Sequence, residues 1–417
     1  MERTRKSLTG NEAAAWAVRL ARASGAFSFP MGPNAEVTET LQGFIDQKEV
    51  ENLRVVYGDN EKAATSMQIG MARMGLRSML CINSEGILWA SAEIHYAASS
   101  RLPLLLVCPS RALEPPTTIY CDHDDFMLQR DMGWLMFYCE HAQDILDTIL
   151  QAYKIIEKES VMLPAIVGYD GWETSHASSL VHLPGQQAVD QFLPSPSFLK
   201  SEKDYLNVNW KQRFSKRRRQ HGLGGRDFMD LKYLQVKAEE ESAQVIEEVG
   251  REYRDLFQSP HTGVVETHSC DDAEIILLTM GTLYSSTRFV VDALRAEGVK
   301  VGCVKIRVLR PFPAKILRQT VQKAKLVITL ERNSLAMLFH ELRDALYPNP
   351  GDGAATQLPM VAGKLIGIGG AAVSVQLIGR IVEDALKALR VGRPEKELEW
   401  LPLKGIQFDP TRDIIAE

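Results

Sequence analysis

Two side chains stand where chemistry could be done. Glu61 opens an Ala-rich helical stretch, Glu61-Lys62-Ala63-Ala64, just after Gly58-Asp59-Asn60. Arg111 follows the apolar run Leu102–Val107 by a few residues. A carboxylate in the first turn of a helix can act as a proton-holding group, or can simply complement the helix dipole. An arginine just past a strand can grip a substrate carboxylate through two parallel hydrogen bonds, or can form a surface ion pair. From spacing alone, the bland reading is favoured for both. Asp122-His123-Asp124-Asp125 contains metal-ligand types. Neighbours on one loop converge poorly on an ion, so a capping and polar-network role is expected there. Gly369-Gly370 lacks the spacing of a dinucleotide fingerprint and reads as a tight turn that needs glycine.

The elements that would position these residues alternate. Strands are expected at 26–29, 53–57, 78–82, 102–107 and 161–167, with helices at 11–23, 35–47, 60–74, 86–100 and 141–157. Leu102–Val107 is the near-continuous apolar run of a parallel strand buried on both faces. In such a sheet ligands gather at the carboxyl ends of the strands. The loops there are Pro30–Asn34, Gly58–Glu61, Asn83–Gly86 and Cys108–Asp125. A second alternating series starts near residue 265, with strands at 274–280, 299–307, 326–330 and 364–367 and helices at 284–296, 336–346 and 374–390. Leu309–Pro313 reads as a turn. The expected fold is α/β with two parallel-sheet domains. The expected division is 1–185, a connecting and wrapping segment 186–262 that includes a charged helix over 235–256, and 263–417.

Composition narrows the class. The sequence has 417 residues, 48 Lys and Arg against 53 Asp and Glu, and a net charge of −5. This balance argues against a nucleic-acid or membrane-surface role. The basic run Lys216-Arg217-Arg218-Arg219 has no interleaved aromatics and reads as a solvated or interface patch. No apolar stretch of about 18 residues is present and the start is polar, so a cytoplasmic location is expected. The six cysteines include no CxxC pair, so reduced buried thiols are expected and no metal site.

In order and spacing, several strings together resemble the alpha subunit of the 2-oxoacid:acceptor oxidoreductases, the pyruvate:ferredoxin oxidoreductase superfamily. They are Gly10-Asn11-Glu12-Ala13, Phe29–Asn34, Glu61–Ala64, Asn83–Gly86, Asp122–Asp125, Asp170-Gly171 with Ser175-His176, Met280–Thr282, Arg310–Pro313 and Glu331–Asn333. The resemblance implies a thiamine-pyrophosphate pyrimidine-type domain followed by a transketolase C-terminal-like domain. It implies a beta subunit that holds the cofactor's diphosphate with Mg²⁺, a gamma subunit, and a ferredoxin-like subunit. Iron–sulfur clusters would lie on those partner subunits, with FAD on a further flavin subunit where NAD is the acceptor.

The resemblance also assigns roles. Glu61 would bond the cofactor's aminopyrimidine and favour the tautomer that takes up a proton. Pro33, Asn34, Ser84 and Gly86 would line the cofactor. Arg111 would orient the 2-oxo acid, with Pro30, Met31 and Gly32 beside it, and coenzyme A would accept the acyl group. Where the family has a threonine against the substrate this chain has Gly32, and its isoleucine is Met31. After Arg111 come Ala112-Leu113-Glu114-Pro115-Pro116 in place of the usual His-Ala-Leu-Ser. Loss of the threonine side chain makes the site roomier and less polar, and Met31 adds a flexible apolar wall. The expectation is therefore an aryl 2-oxo acid, phenylglyoxylate, oxidised to benzoyl-CoA. Pyruvate or oxalate oxidation, and a non-catalytic scaffold subunit, are the alternatives. Oxalate would call for a second cation, and the Pro30–Asn34 loop carries none.

Overall fold

The computed structural model describes residues 3–195, 225–347 and 358–401. Its strands are β1 (Arg3–Leu8), β2 (Gly25–Ser28), β3 (Arg54–Tyr57), β4 (Ser78–Cys81), β5 (Leu105–Ser110), β6 (Leu135–Cys139), β7 (Ala165–Asp170), β8 (Ser179–Pro184), β9 (Val265–His268), β10 (Ile275–Thr279), β11 (Val301–Ile306), β12 (Val308–Arg310), β13 (Leu326–Glu331), β14 (Met360–Ile366) and β15 (Leu398–Leu401). They form a seven-stranded sheet in the order β12-β6-β7-β5-β4-β2-β3 and a six-stranded sheet in the order β15-β14-β13-β10-β11-β9. Each sheet is parallel except at one edge, where β12 and β9 run antiparallel to their neighbours. An antiparallel ribbon pairs β1 with β8.

The α/β architecture with two parallel sheets is the one expected. The strand content differs in detail. Leu309–Pro313 is not simply a turn: Val308–Arg310 crosses to the first sheet and pairs with β6. A strand from the later part of the chain thus completes the earlier sheet. The polar N-terminus forms β1, and because its residues are mostly exposed they carry no apolar alternation to reveal it. The helix expected over 86–100 is two helices, Ser84–Trp89 and Ser91–Ser99. In the connecting segment the charged helix begins ten residues earlier than expected and runs from Gly225 to Phe257. The basic run at 216–219 lies outside the described residues. We keep 1–185, 186–262 and 263–417 as a proposed division that β12 crosses.

Strand β5 explains how Arg111 reaches the rim. The apolar run suggests a strand ending at Val107, but pairing continues through Cys108, Pro109 and Ser110 against Gly168–Asp170 of β7. On the other side β4 pairs only as far as Val107. Pro109 therefore sits where β5 has lost one neighbour, and its missing N–H costs no ladder bond there.

One core lies on the face of the seven-stranded sheet covered by helices Gly10–Leu20, Ala142–Ile156 and Gly225–Phe257, and includes Val18, Ile149, Tyr153 and Tyr253. A second core is shared between the two sheets: Leu80, Leu106, Trp134 and Tyr138 pack in one cluster with Ile276, Leu278 and Val304. Burial of both faces is what made the run around β5 read as continuously apolar.

Candidate active site at the carboxyl edge of the first sheet

The ends of β2, β3, β4 and β5 place four loops along one edge, because those strands are parallel neighbours. After β3, Asn60 caps helix Glu61–Arg73, with its Oδ1 accepting from the Ala63 amide at 2.9 Å. This fixes Glu61 as the first helical residue. Glu61 is 3% exposed, and its carboxylate has no hydrogen-bond or ion-pair partner among the described residues. It lies over Gly86: a Cβ there would fall 2.4 Å from Glu61 Oε1. A buried carboxylate without a partner is costly, and only glycine opposite it leaves the room that this carboxylate occupies.

The loop after β2 is held from inside. Asn34 Oδ1 accepts from the Met31 amide at 3.2 Å, and Asn34 Nδ2 donates to Asn83 Oδ1 at 3.1 Å. Asn83 Nδ2 in turn donates to the Pro109 carbonyl at 3.0 Å, linking the loops after β2, β4 and β5. The Pro33 carbonyl accepts from Asn11 Nδ2 at 2.8 Å. Ser84 Oγ lies 2.6 Å from Glu85 Oε2 and 2.9 Å from the Ala112 carbonyl oxygen. Pro33, Asn34 and Ser84 are thus buried and engaged within the chain, so they shape the edge rather than face outward. Pro30 and Gly32 are exposed and Met31 is half-buried. A Cβ on Gly32 would meet nothing within 4 Å, so open space surrounds it.

Arg111 is brought directly to this loop. Its Nη1 donates to the Gly32 carbonyl at 3.2 Å, its Nε to the Thr118 carbonyl at 3.0 Å, and its Nη2 to Glu114. The side chain of Arg111 is 11% exposed and that of Glu114 30%. Behind it, Asp125 Oδ2 accepts from the backbone amides of Arg111 at 3.0 Å and Ser84 at 2.9 Å. Asp125 therefore ties the Arg111 loop to the Ser84 loop. Burial pushes its pKa up to about 6, against the pull of these amide donors. Sequence reasoning grouped Asp125 with its neighbours as a capping cluster and missed this clamp. It also missed Asn83 and Glu114.

The rest of the 122–125 cluster is a polar network, as expected. Asp122 caps the Asp124 amide, and Asp124 accepts from the Ser334 amide and hydroxyl. Burial, and then the charge of Asp124, push Asp122 up to about 8. Cys121, His123 and Asp170 lie close enough for their ligand atoms to fall within 4.8 Å of one another. Asp170 is already satisfied: His123 Nε2 is 2.9 Å away, the Tyr138 hydroxyl donates at 2.7 Å, and Thr282 donates from its amide at 3.2 Å and from its hydroxyl. Arg332 adds a cation at 3.8 Å. Burial opposes ionisation of Asp170, but His123 and Arg332 hold it far below the usual carboxylate range. Thr282 and Arg332 join this knot from the later part of the chain, so it also fastens the two sheets together.

Residues 17–255 match the family model described as pyruvate flavodoxin/ferredoxin oxidoreductase, thiamine diphosphate-binding, and residues 273–378 match pyruvate:ferredoxin oxidoreductase core domain II. The chain belongs to this family of 2-oxo acid oxidoreductase subunits. It is 32% identical to ketoisovalerate oxidoreductase subunit VorA of Pyrococcus abyssi over 96% of this chain and 98% of that one. Its identity to pyruvate synthase subunit PorA of Pyrococcus furiosus is likewise 32%, with the same coverage. In fold it resembles 2-oxoglutarate:ferredoxin oxidoreductase from Magnetococcus marinus, with a TM-score of 0.67 and 16% identity over 91% of this chain and 65% of that one. A split-gene transketolase matches with a TM-score of 0.51 and 13% identity over 92% of this chain and 99% of that one. The thiamine-type domain and the transketolase-like second domain are therefore those the sequence resembled. No helix among the described residues is long and apolar enough to cross a membrane.

Proposed function

We propose that this chain is the alpha subunit of a CoA-acylating 2-oxo acid oxidoreductase and presents Glu61 to thiamine diphosphate held mainly by a beta subunit. The observation that carries the reading is the buried, partnerless Glu61 carboxylate lying over Gly86 at the carboxyl edge of a parallel sheet. When bound, thiamine diphosphate supplies the nucleophilic carbon that attacks the 2-oxo group and the electron sink for decarboxylation. Glu61 would hold a proton shared with a ring nitrogen of the cofactor. Arg111 would orient the substrate carboxylate beside Gly32. Pro33, Asn34 and Ser84 act by fixing the loops that carry these groups. Electrons would leave through iron–sulfur clusters on gamma and ferredoxin-like subunits, to ferredoxin or, through a flavin subunit, to NAD.

For the substrate we propose phenylglyoxylate. Open space around Gly32 and the half-buried Met31 beside it support an acid larger than pyruvate. The named relatives are a ketoisovalerate oxidoreductase subunit and a pyruvate synthase subunit by their titles, so a branched 2-oxo acid, smaller than phenylglyoxylate but larger than pyruvate, is the alternative. The test is CoA-dependent dye reduction by the native complex with phenylglyoxylate, 2-oxoisovalerate and pyruvate side by side. The highest kcat/KM is expected for phenylglyoxylate. Preference for pyruvate would refute the enlarged site while leaving the role of Glu61 standing.

A further inference from the structure

Resting on the reading of Arg111 as the substrate-carboxylate anchor, we propose that Glu114 sets the charge of the substrate. Its carboxylate shares the Arg111 guanidinium, and together with Glu85 it restricts the site to 2-oxo acids that carry one negative charge.

A guanidinium has five N–H donors. In Arg111 one goes to the Thr118 carbonyl, one to the Gly32 carbonyl and one to Glu114. Two remain, which is what a single carboxylate needs for a two-pronged bond. Nothing is left for a second carboxylate. Glu114 is held in place rather than free to swing aside: Thr117 Oγ1 donates to its Oε2 at 3.2 Å, and its own backbone amide donates to Glu85 Oε1. Glu85 accepts a further bond from Ser84 at 2.6 Å. Burial works against ionisation of Glu85, but these donors and the charge of Arg111 hold its carboxyl below the ordinary range. Among the described residues neither glutamate pairs with any cation other than Arg111.

Arg111 therefore has the carboxylates of Glu114 and Glu85 around its side chain, and Asp125 behind its backbone amide, before any substrate enters. A 2-oxo acid with one carboxylate gains the arginine contact. One with a second carboxylate brings that charge toward Glu114 and Glu85 with no counter-ion. Like charges brought together at a recognition site act as a repulsive selectivity element. The departure at 112–116 in the sequence is where this element sits. The sequence marks the departure but not its effect, because an Arg followed three residues later by Glu reads as an ordinary surface pair.

The experiment compares kcat/KM of the purified complex for phenylglyoxylate and 2-oxoisovalerate, which carry one charge, with that for 2-oxoglutarate and oxalate, which carry two. Glu114→Gln should raise the ratio of dianion to monoanion at least about tenfold. Glu114→Asp keeps the charge and should hold the ratio near the wild-type value. A ratio that moves less than about twofold in Glu114→Gln overturns the proposal. Should that variant fail to assemble, the wild-type complex answers through inhibition: butyrate should compete with substrate more strongly than glutarate, and equal or tighter inhibition by glutarate overturns the proposal. The outcomes separate the two claims. Wild-type turnover with an unmoved ratio rejects Glu114 alone. No turnover with any 2-oxo acid rejects the proposed function, and this inference with it.

Discussion

Glu61 and Gly86 work as a pair, since the carboxylate occupies the space that a side chain at 86 would take. Gly86→Ala is expected to push the carboxylate aside while the fold persists. A displacement of about 1 Å can cost roughly 10²-fold in rate. The check is kcat of the assembled variant beside its melting temperature, with activity falling far more than stability. Gly32 makes the opposite case, because a larger side chain has room there. Gly32→Thr should fold normally and shift the ratio of kcat/KM from phenylglyoxylate toward pyruvate. A pocket change of this size is worth about 1–3 kcal/mol, or roughly 10–200-fold. An unchanged ratio of the two kcat/KM values would remove Gly32 as the determinant of substrate size. Residue type and place after strands singled out Glu61 and Arg111 but favoured a bland reading of both, and their proposed roles come from the family resemblance. Asp125 was not, because its two amide partners lie 14 and 41 residues away in sequence.

The edge works at the scale of elements because several strands end together. β7 and β5 finish side by side, and Gly171 follows β7 so closely that a Cβ there would sit 2.3 Å from the Ser110 carbonyl oxygen and 2.9 Å from Pro33 Cγ. Gly171→Ala is therefore expected to destabilise by roughly 1–3 kcal/mol through overpacking. It should also raise KM, by displacing the Pro30–Asn34 loop. Denaturant titration and steady-state kinetics on one preparation would show both effects together. Periodicity revealed the buried strands β4, β5, β10 and β13, whose apolar side chains face cores on both sides. It missed β6, although all five of its residues are buried, and it missed β1, β8, β9, β12 and β15, which are short or partly exposed at sheet edges and ribbons. β12 in particular is recognisable only through its long-range pairing with β6. The end of the apolar run at Val107 was misleading about where the strand stops, since pairing runs on to Ser110.

The two sheets are joined across the whole molecule by charge as well as by the shared apolar core. Lys305 of β11 is buried and reaches Glu140 at 2.7 Å and Asp144 at 3.6 Å, and Arg307 reaches Asp144 at 3.0 Å. Burial raises the cost of the Asp144 charge, but Arg307 and Lys305 hold its pKa well below the usual range. Breaking a buried pair on one side costs about 3–5 kcal/mol, so Asp144→Asn should lower the urea midpoint clearly. Asp144 and Asp170 are both depressed in the folded chain. Their stabilisation is complete above the unfolded carboxylate value of about 4 and is lost as pH falls through the folded values. Urea midpoints measured from pH 5 downward should fall steeply for the wild type and less so for Asp170→Asn. Asp125 works in the opposite direction, because its folded value near 6 lies above the unfolded one. Its contribution is present at low pH and is lost as pH rises from about 4 through 6. Glu61 is proposed as the proton-holding carboxylate for thiamine in a multisubunit 2-oxo acid oxidoreductase. The most direct measurement is turnover of the assembled complex carrying Glu61→Gln, with subunit composition and bound thiamine diphosphate measured on the same sample. An intact complex that retains partner subunits and loses turnover by about 10²–10⁴-fold is expected. An intact, thiamine-loaded Glu61→Gln complex with near-normal turnover would contradict that role.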